Sequence, residues 1–148
     1  MSDHRPGFAR RLPIDDVEEP RETRDHFVQS NGQMYAGTHL LLDLWGASRL
    51  DDVDYIEQTL RQAVQAAGAE LLHIHLHRFT QGGGISGVAV LAESHISVHT
   101  WPERDYAAFD IFMCGRARPA LAARSIEQRL HPRSCTTHQH RRGLIEDV

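Results

Sequence analysis

The 148-residue chain predicts an α+β fold: a two-layer sandwich of an antiparallel sheet with helices on one face. Three observations predict it. Between residues 69 and 115, stretches with period two follow one another with only short loops between them, the arrangement that antiparallel neighbours allow. Two other stretches carry a helical period and lie far apart in the chain. The order is therefore strand, helix, several strands, helix, strand.

Residues 1–32 mix both charge signs with three prolines and show no sustained period, which reads as a mobile N-terminal extension. A single domain is expected over 33–148. AGTHLLLDLWG (Ala36 to Gly46) is apolar enough for a largely buried strand. In LDDVDYIEQTLRQAVQAAG, the residues Val53, Ile56, Leu60, Ala63, Val64 and Ala67 fall on one face of an amphipathic helix. Asp51 and Asp52 stand at its positive end and Gly68 stops it. In AELLHIHLHRF, the residues Leu72, Ile74 and Leu76 alternate with His73, His75 and His77, the pattern of a half-buried strand. TQGGG (Thr80 to Gly84) must be a loop. ISGVAVLAE, SHISVHTWP and YAAFDIFMCG follow as three strands. PALAARSIEQRL (Pro119 to Leu130) is a second helix opened by proline, and SCTTHQH supplies a short last strand.

Composition excludes several function classes. A net charge of -4 gives no general basic field for nucleic acid phosphates. No apolar run reaches the roughly 18 residues needed to span a bilayer, and no apolar leader core is visible near the start. Two cysteines, Cys114 and Cys135, are too few for a disulfide framework, so a cytoplasmic protein with reduced thiols is expected. All 16 basic residues are arginine. A chain without lysine cannot hold pyridoxal phosphate as an internal Schiff base.

The chemistry concentrates in AESHISVHTWPERDYAAFDIFMCG, Ala92 to Gly115, whose polar positions hold Glu93, Ser94, His95, Ser97, His99 and Cys114. Ser94 with a histidine and Asp110 lacks the glycine-flanked elbow that a hydrolase nucleophile needs. A strand serine is otherwise a satisfied hydroxyl. It can also attack its own backbone, because the Ser94 hydroxyl reaches the Glu93 carbonyl carbon through a five-membered ring. A lone cysteine such as Cys114 is more often a small buried hydrophobe than a reactive group. Three imidazoles on one face of HIHLH stand about 7 Å apart, too far for one tetrahedral metal without a ligand from another strand. These histidines are expected on the solvent or interface side of the sheet, with no metal site assigned.

GTHLLLDLWG, FTQGGGISGVAVLAESHISVHTWPE, YAAFDIFMCG and the late HRRG together resemble the small bacterial S-adenosylmethionine decarboxylases, in the same order and spacing from about Gly37 to Gly143. ESHISVHTWPE followed by DIFMCG is the most specific part. The resemblance implies that family's fold and a proenzyme that cleaves itself between Glu93 and Ser94. Ser94 would attack the Glu93 carbonyl to give an ester, assisted by Ser86, and His99 would remove the Ser94 α-proton. The product would be a pyruvoyl group capping residues 94–148, with 1–93 as the second chain. Pyruvoyl chemistry supplies the electron sink that pyridoxal phosphate supplies elsewhere. Cys114 matches the proton donor; a thiol with an ordinary pKa of about 8.5 is mostly protonated at neutral pH. Phe79 matches an aromatic that stacks on adenine, and Glu103 a carboxylate that binds the ribose. The expected product is decarboxylated S-adenosylmethionine, the aminopropyl donor for spermidine. A homodimer whose sites use residues from both protomers is also implied, with no nucleic acid or membrane partner.

Three rivals stand beside this reading. A pyruvoyl-dependent arginine or ornithine decarboxylase on the same scaffold would need the same processing motif, though Phe79 and Glu103 favour a nucleoside. An uncleaved regulatory or binding relative would be expected to lack Ser94, His99 or Cys114. A metal-binding module would rest on the histidines.

Overall fold

In a computed structural model, the described residues are 10–11, 14, 21–22 and 26–145. The strands are β1 (Arg10–Arg11), β2 (Arg21–Glu22), β3 (Val28–Ser30), β4 (Gln33–Tyr35), β5 (Gly37–Trp45), β6 (Leu71–Arg78), β7 (Ile85–Leu91), β8 (Ser94–Trp101), β9 (Tyr106–Met113) and β10 (Ser134–Arg142). The helices are α1 (Val53–Ala66) and α2 (Pro119–Leu130), with a short 3-10 turn at Pro102–Arg104. Seven strands form one antiparallel sheet in the order β1-β10-β5-β9-β8-β7-β6, and β2-β3-β4 form a small second sheet.

Both helices lie on one face of the large sheet for a reason of handedness. The connections β5-α1-β6 and β9-α2-β10 each join parallel strands, but they start from strands of opposite sense and run in opposite directions across the sheet. A right-handed connection in both cases puts α1 and α2 on the same side. There they pack beside each other over Leu40, Leu42 and Leu44 of β5 and Phe109 and Ile111 of β9, all essentially inaccessible to water. Each such side chain contributes about 1.5–3 kcal/mol of transfer free energy. Asp52 caps α1 by accepting from the Tyr55 N–H at 3.0 Å. Arg118 lacks a capping side chain, and Pro119 opens α2.

The sequence reading and the structure differ at three places. The alternation predicts Leu72 inward with Ile74 and Leu76, yet it is 61% exposed. The β6–β7 register shifts between Leu71 and His73, and this bulge turns Leu72 out of the alternation. The described parts of residues 1–32, expected as an extension without regular structure, include strands: β1 adds to the edge of the large sheet and β2 and β3 belong to the small one. The remainder of that extension lies outside the described residues. The last strand is also longer than SCTTHQH, pairing with β5 from Ser134 to Arg142.

The other face of the large sheet carries no helix. It presents His39 and Asp43 from β5, His75 and His77 from β6, His95 and His99 from β8, and Tyr106, Asp110 and Phe112 from β9. No helix among the described residues is long and apolar enough to cross a membrane.

Candidate active site

The loop between β7 and β8 is two residues long. Leu91 pairs with Ser94, so Ala92 and Glu93 make the whole turn. Glu93 takes φ +67°, a left-handed conformation that costs a residue with a side chain about 1–2 kcal/mol. Strain therefore sits on the residue that precedes Ser94. Ser94 opens β8 on the helix side and is 7% exposed.

Cys114 lies just past the end of β9 and meets this turn from the side. Its thiol donates to the Glu93 carbonyl oxygen at 2.7 Å, and its backbone N–H donates to Ser94 Oγ at 3.3 Å. One residue thus contacts both halves of the Glu93–Ser94 peptide. A donor on the carbonyl polarises it toward attack and stabilises charge that develops on its oxygen. Among the described residues, a further contact comes from far away in sequence: His26 Nδ1 lies 3.0 Å from Glu93 Oε2.

A second group forms at the other end of the same hairpin. Ser86 of β7 pairs directly with His99 of β8. The His99 ring stacks on Trp101 at a centroid distance of 4.0 Å and an interplanar angle of 9°, and Phe79 stacks near it at 5.9 Å. Trp101 continues through Tyr106 to Trp45, with centroids 5.1 and 4.3 Å apart, so a row of rings crosses the helix-free face. Phe79 is 57% exposed. Glu103 sits in the exposed 3-10 turn beyond Trp101.

The residues singled out by sequence therefore divide. Ser94 and Cys114 meet at the closed end of the hairpin, and Ser86, His99 and Phe79 at its open end, with Glu103 beyond. Five residues of extended strand separate Ser94 from His99, about 16 Å, and an odd separation points them to opposite faces of the sheet. Within one protomer, His99 does not reach Ser94.

Two groups on the helix-free face have shifted pKa values. Burial lowers the pKa of His39, against the opposing pull of Asp110 at 3.2 Å. Asp110 also accepts from Ser97 Oγ at 3.1 Å. Burial, and then the hydrogen bond to Asp43, push the Tyr106 phenol up to about 12. Cys135, at a distance from both groups, is pushed up to about 11 by burial. Among the described residues, no group of three His, Cys, Asp or Glu side chains is placed to hold a metal ion. Sequence reasoning missed His26, which sits in a stretch without period, and Trp101, whose ring was absorbed into the strand pattern.

Comparison with known proteins follows the same outline. A family model described as S-adenosylmethionine decarboxylase matches residues 38–143. A protein of Methanococcus maripaludis named S-adenosylmethionine decarboxylase proenzyme is 46% identical over 114 residues, covering 75% of this chain and 93% of that protein. The protein of the same name from Thermomicrobium roseum is 38% identical over 112 residues, covering 75% of this chain and 97% of the relative. The crystal structure of the adenosylmethionine decarboxylase from Aquifex aeolicus superposes with a TM-score of 0.67 at 36% identity, over 77% of this chain and 96% of that one.

Proposed function

The chain belongs to the S-adenosylmethionine decarboxylase family, and from that premise we propose that it is a self-processing, pyruvoyl-dependent enzyme that removes carbon dioxide from S-adenosylmethionine. The observation that carries the processing step is the pair of contacts Cys114 makes across the Glu93–Ser94 peptide. The product of decarboxylation supplies the aminopropyl group for spermidine, and the proposed compartment is the cytoplasm.

Processing uses the chain's own atoms. Ser94 Oγ bonds to the Glu93 carbonyl carbon, the C–N bond breaks, and the hydroxyl proton ends on the Ser94 nitrogen. The Cys114 thiol stabilises the oxyanion that forms on the way. His99 as base then takes the Ser94 α-proton, the Cβ–Oγ bond breaks, and Glu93 leaves as a carboxylate. Water converts the dehydroalanine left at position 94 to a pyruvoyl group, with loss of ammonia. The site suits such a group: residue 94 becomes a chain start next to the strained turn at Glu93, beside the Cys114 thiol.

When formed, the pyruvoyl group accepts the electrons released as carbon dioxide departs. Cys114 Sγ holds the proton destined for the substrate α-carbon. Phe79 offers a ring face to the adenine, and the Glu103 carboxylate accepts from the ribose hydroxyls.

Ser86, His99, Phe79 and Glu103 stand too far from Ser94 to share a site with it in one protomer. The working unit is therefore a homodimer in which the closed hairpin end of one protomer meets the open end of its partner. A helix-free sheet face lined with stacked rings supports that association.

Denatured intact mass of the purified protein and of Ser94→Ala tests the proposal. The expected result is two fragments, 1–93 and a keto-blocked 94–148, both missing from the variant. A wild-type chain that stays whole on long incubation refutes it. Carbon dioxide release from S-adenosylmethionine, arginine and ornithine then reads the substrate; release from either amino acid alone refutes the nucleoside assignment.

A further inference from the structure

We infer that His26 is a positioning residue for self-processing, holding the Glu93 side chain so that the scissile carbonyl stays turned toward Cys114. The inference rests on the processing reading above. It starts from a closed circuit of contacts. His26 Nδ1 is 3.0 Å from Glu93 Oε2, and the His26 carbonyl accepts the Gly115 N–H at 2.9 Å. Gly115 follows Cys114, whose thiol donates to the Glu93 carbonyl. His26 therefore ties the residue on the acyl side of the scissile bond to the segment that polarises that bond.

The backbone adds an independent reason. His26 and Glu93 both adopt left-handed φ, +62° and +67°. A two-residue turn strained at Glu93 tends to relax by rotating its peptide, which would swing the carbonyl away from Ser94 Oγ and Cys114. A contact on the Glu93 side chain resists that rotation. The matched family region begins at residue 38, so His26 stands outside it. This chain carries an orienting contact supplied by a segment N-terminal to the shared domain.

The expected size is modest. The two side chains are 47% and 54% exposed, and a polar contact so open to water changes a rate by about two- to fivefold when its full worth is felt in the transition state. Fragment appearance is followed by denatured intact mass after synthesis of the full chain, for wild type, His26→Gly and His26→Asn. Glycine keeps the left-handed φ and removes the imidazole. Asparagine tolerates that φ and puts an amide donor close to where Nδ1 stands.

The expected result is cleavage slowed about two- to fivefold in His26→Gly and restored in His26→Asn. Glu93→Ala should show no further slowing when His26→Gly is added, because the contact is already gone. Wild-type rate in His26→Gly, equal slowing in the glycine and asparagine variants, or slowings that multiply in the double variant would each overturn the inference while leaving self-processing intact. A wild-type chain that never cleaves would remove both.

Discussion

Mixing two inactive variants tests the divided site directly. On the proposed reading, Ser94→Ala removes the closed-end nucleophile and His99→Ala the open-end base, so neither variant by itself should form a competent site. In a mixed dimer, one site combines both lesions and is dead. The other pairs an intact Ser94 from the His99→Ala protomer with an intact His99 from the Ser94→Ala protomer. Random pairing at equal amounts makes about half of all dimers mixed, each with one working site. About one quarter of all chains should therefore cleave, every one of them a His99→Ala chain. The 16 Å or so of strand between Ser94 and His99 leaves no route to this result inside a single protomer. Co-expression followed by denatured intact mass reads the fragments, since the two full-length masses differ. No fragments in the mixture while wild type cleaves would refute the cross-protomer reasoning. Cleavage of His99→Ala alone at the wild-type rate would refute the role of His99.

Other consequences are testable in the Ser94→Ala background, where the proposed cleavage should not occur. A Cβ on Gly87 would collide with the His75 carbonyl oxygen and the Leu76 side chain across the β6–β7 pair, so Gly87→Ala should lower the unfolding free energy by about 1–3 kcal/mol in urea titration; an unchanged midpoint would show that the pair gives way freely. With burial holding the Cys135 thiol at about 11 instead of 9.0, its alkylation by iodoacetamide at pH 8 should run about 100-fold slower than that of a free thiol with the ordinary value. Labelling of Cys135 at the ordinary rate, located by peptide mass, would contradict this. His39 has its pKa lowered chiefly by burial, so below its ordinary value of 6.5 the unfolded chain takes up a proton that the folded chain resists. Its contribution to stability is full above 6.5 and lost as pH falls through the depressed folded value. His39→Asn should flatten that part of the stability–pH curve, and an unaltered slope would assign the acid loss to other groups.

Much of the fold is legible in sequence because local pattern and tertiary environment agree there. Leu40, Leu42 and Leu44 alternate in β5 and all point into the core. Ile56, Leu60, Ala63 and Val64 keep helical spacing and are the buried face of α1. Agreement ends where a partner strand or a distant side chain decides. Leu72 obeys the alternation on paper, but the bulge opposite Val90 and Leu91 turns it outward. Thr59 reads as a polar interruption of the helix face. It is buried because its hydroxyl donates to the Tyr55 carbonyl and accepts from Arg129 Nε, 70 residues away.

The site shows the same division. By itself, the sequence determined the chemistry on offer: no lysine for a Schiff base, a serine able to attack its own preceding carbonyl, a thiol and an imidazole at set intervals. Side-chain identity and spacing are local properties, and they are enough for that. Tertiary structure decided which groups meet. The strain at Glu93 and the approach of Cys114 to it arise only when β8 pairs with β9 and the β7–β8 turn closes in two residues. The separation of His99 from Ser94 follows from the rise and pleat of β8, which carries five residues about 16 Å and onto the opposite face. The contact from His26 depends on a chain segment folding back across 67 residues (93 − 26) to reach Glu93, and contacts that bridge such distances leave no periodic trace in sequence.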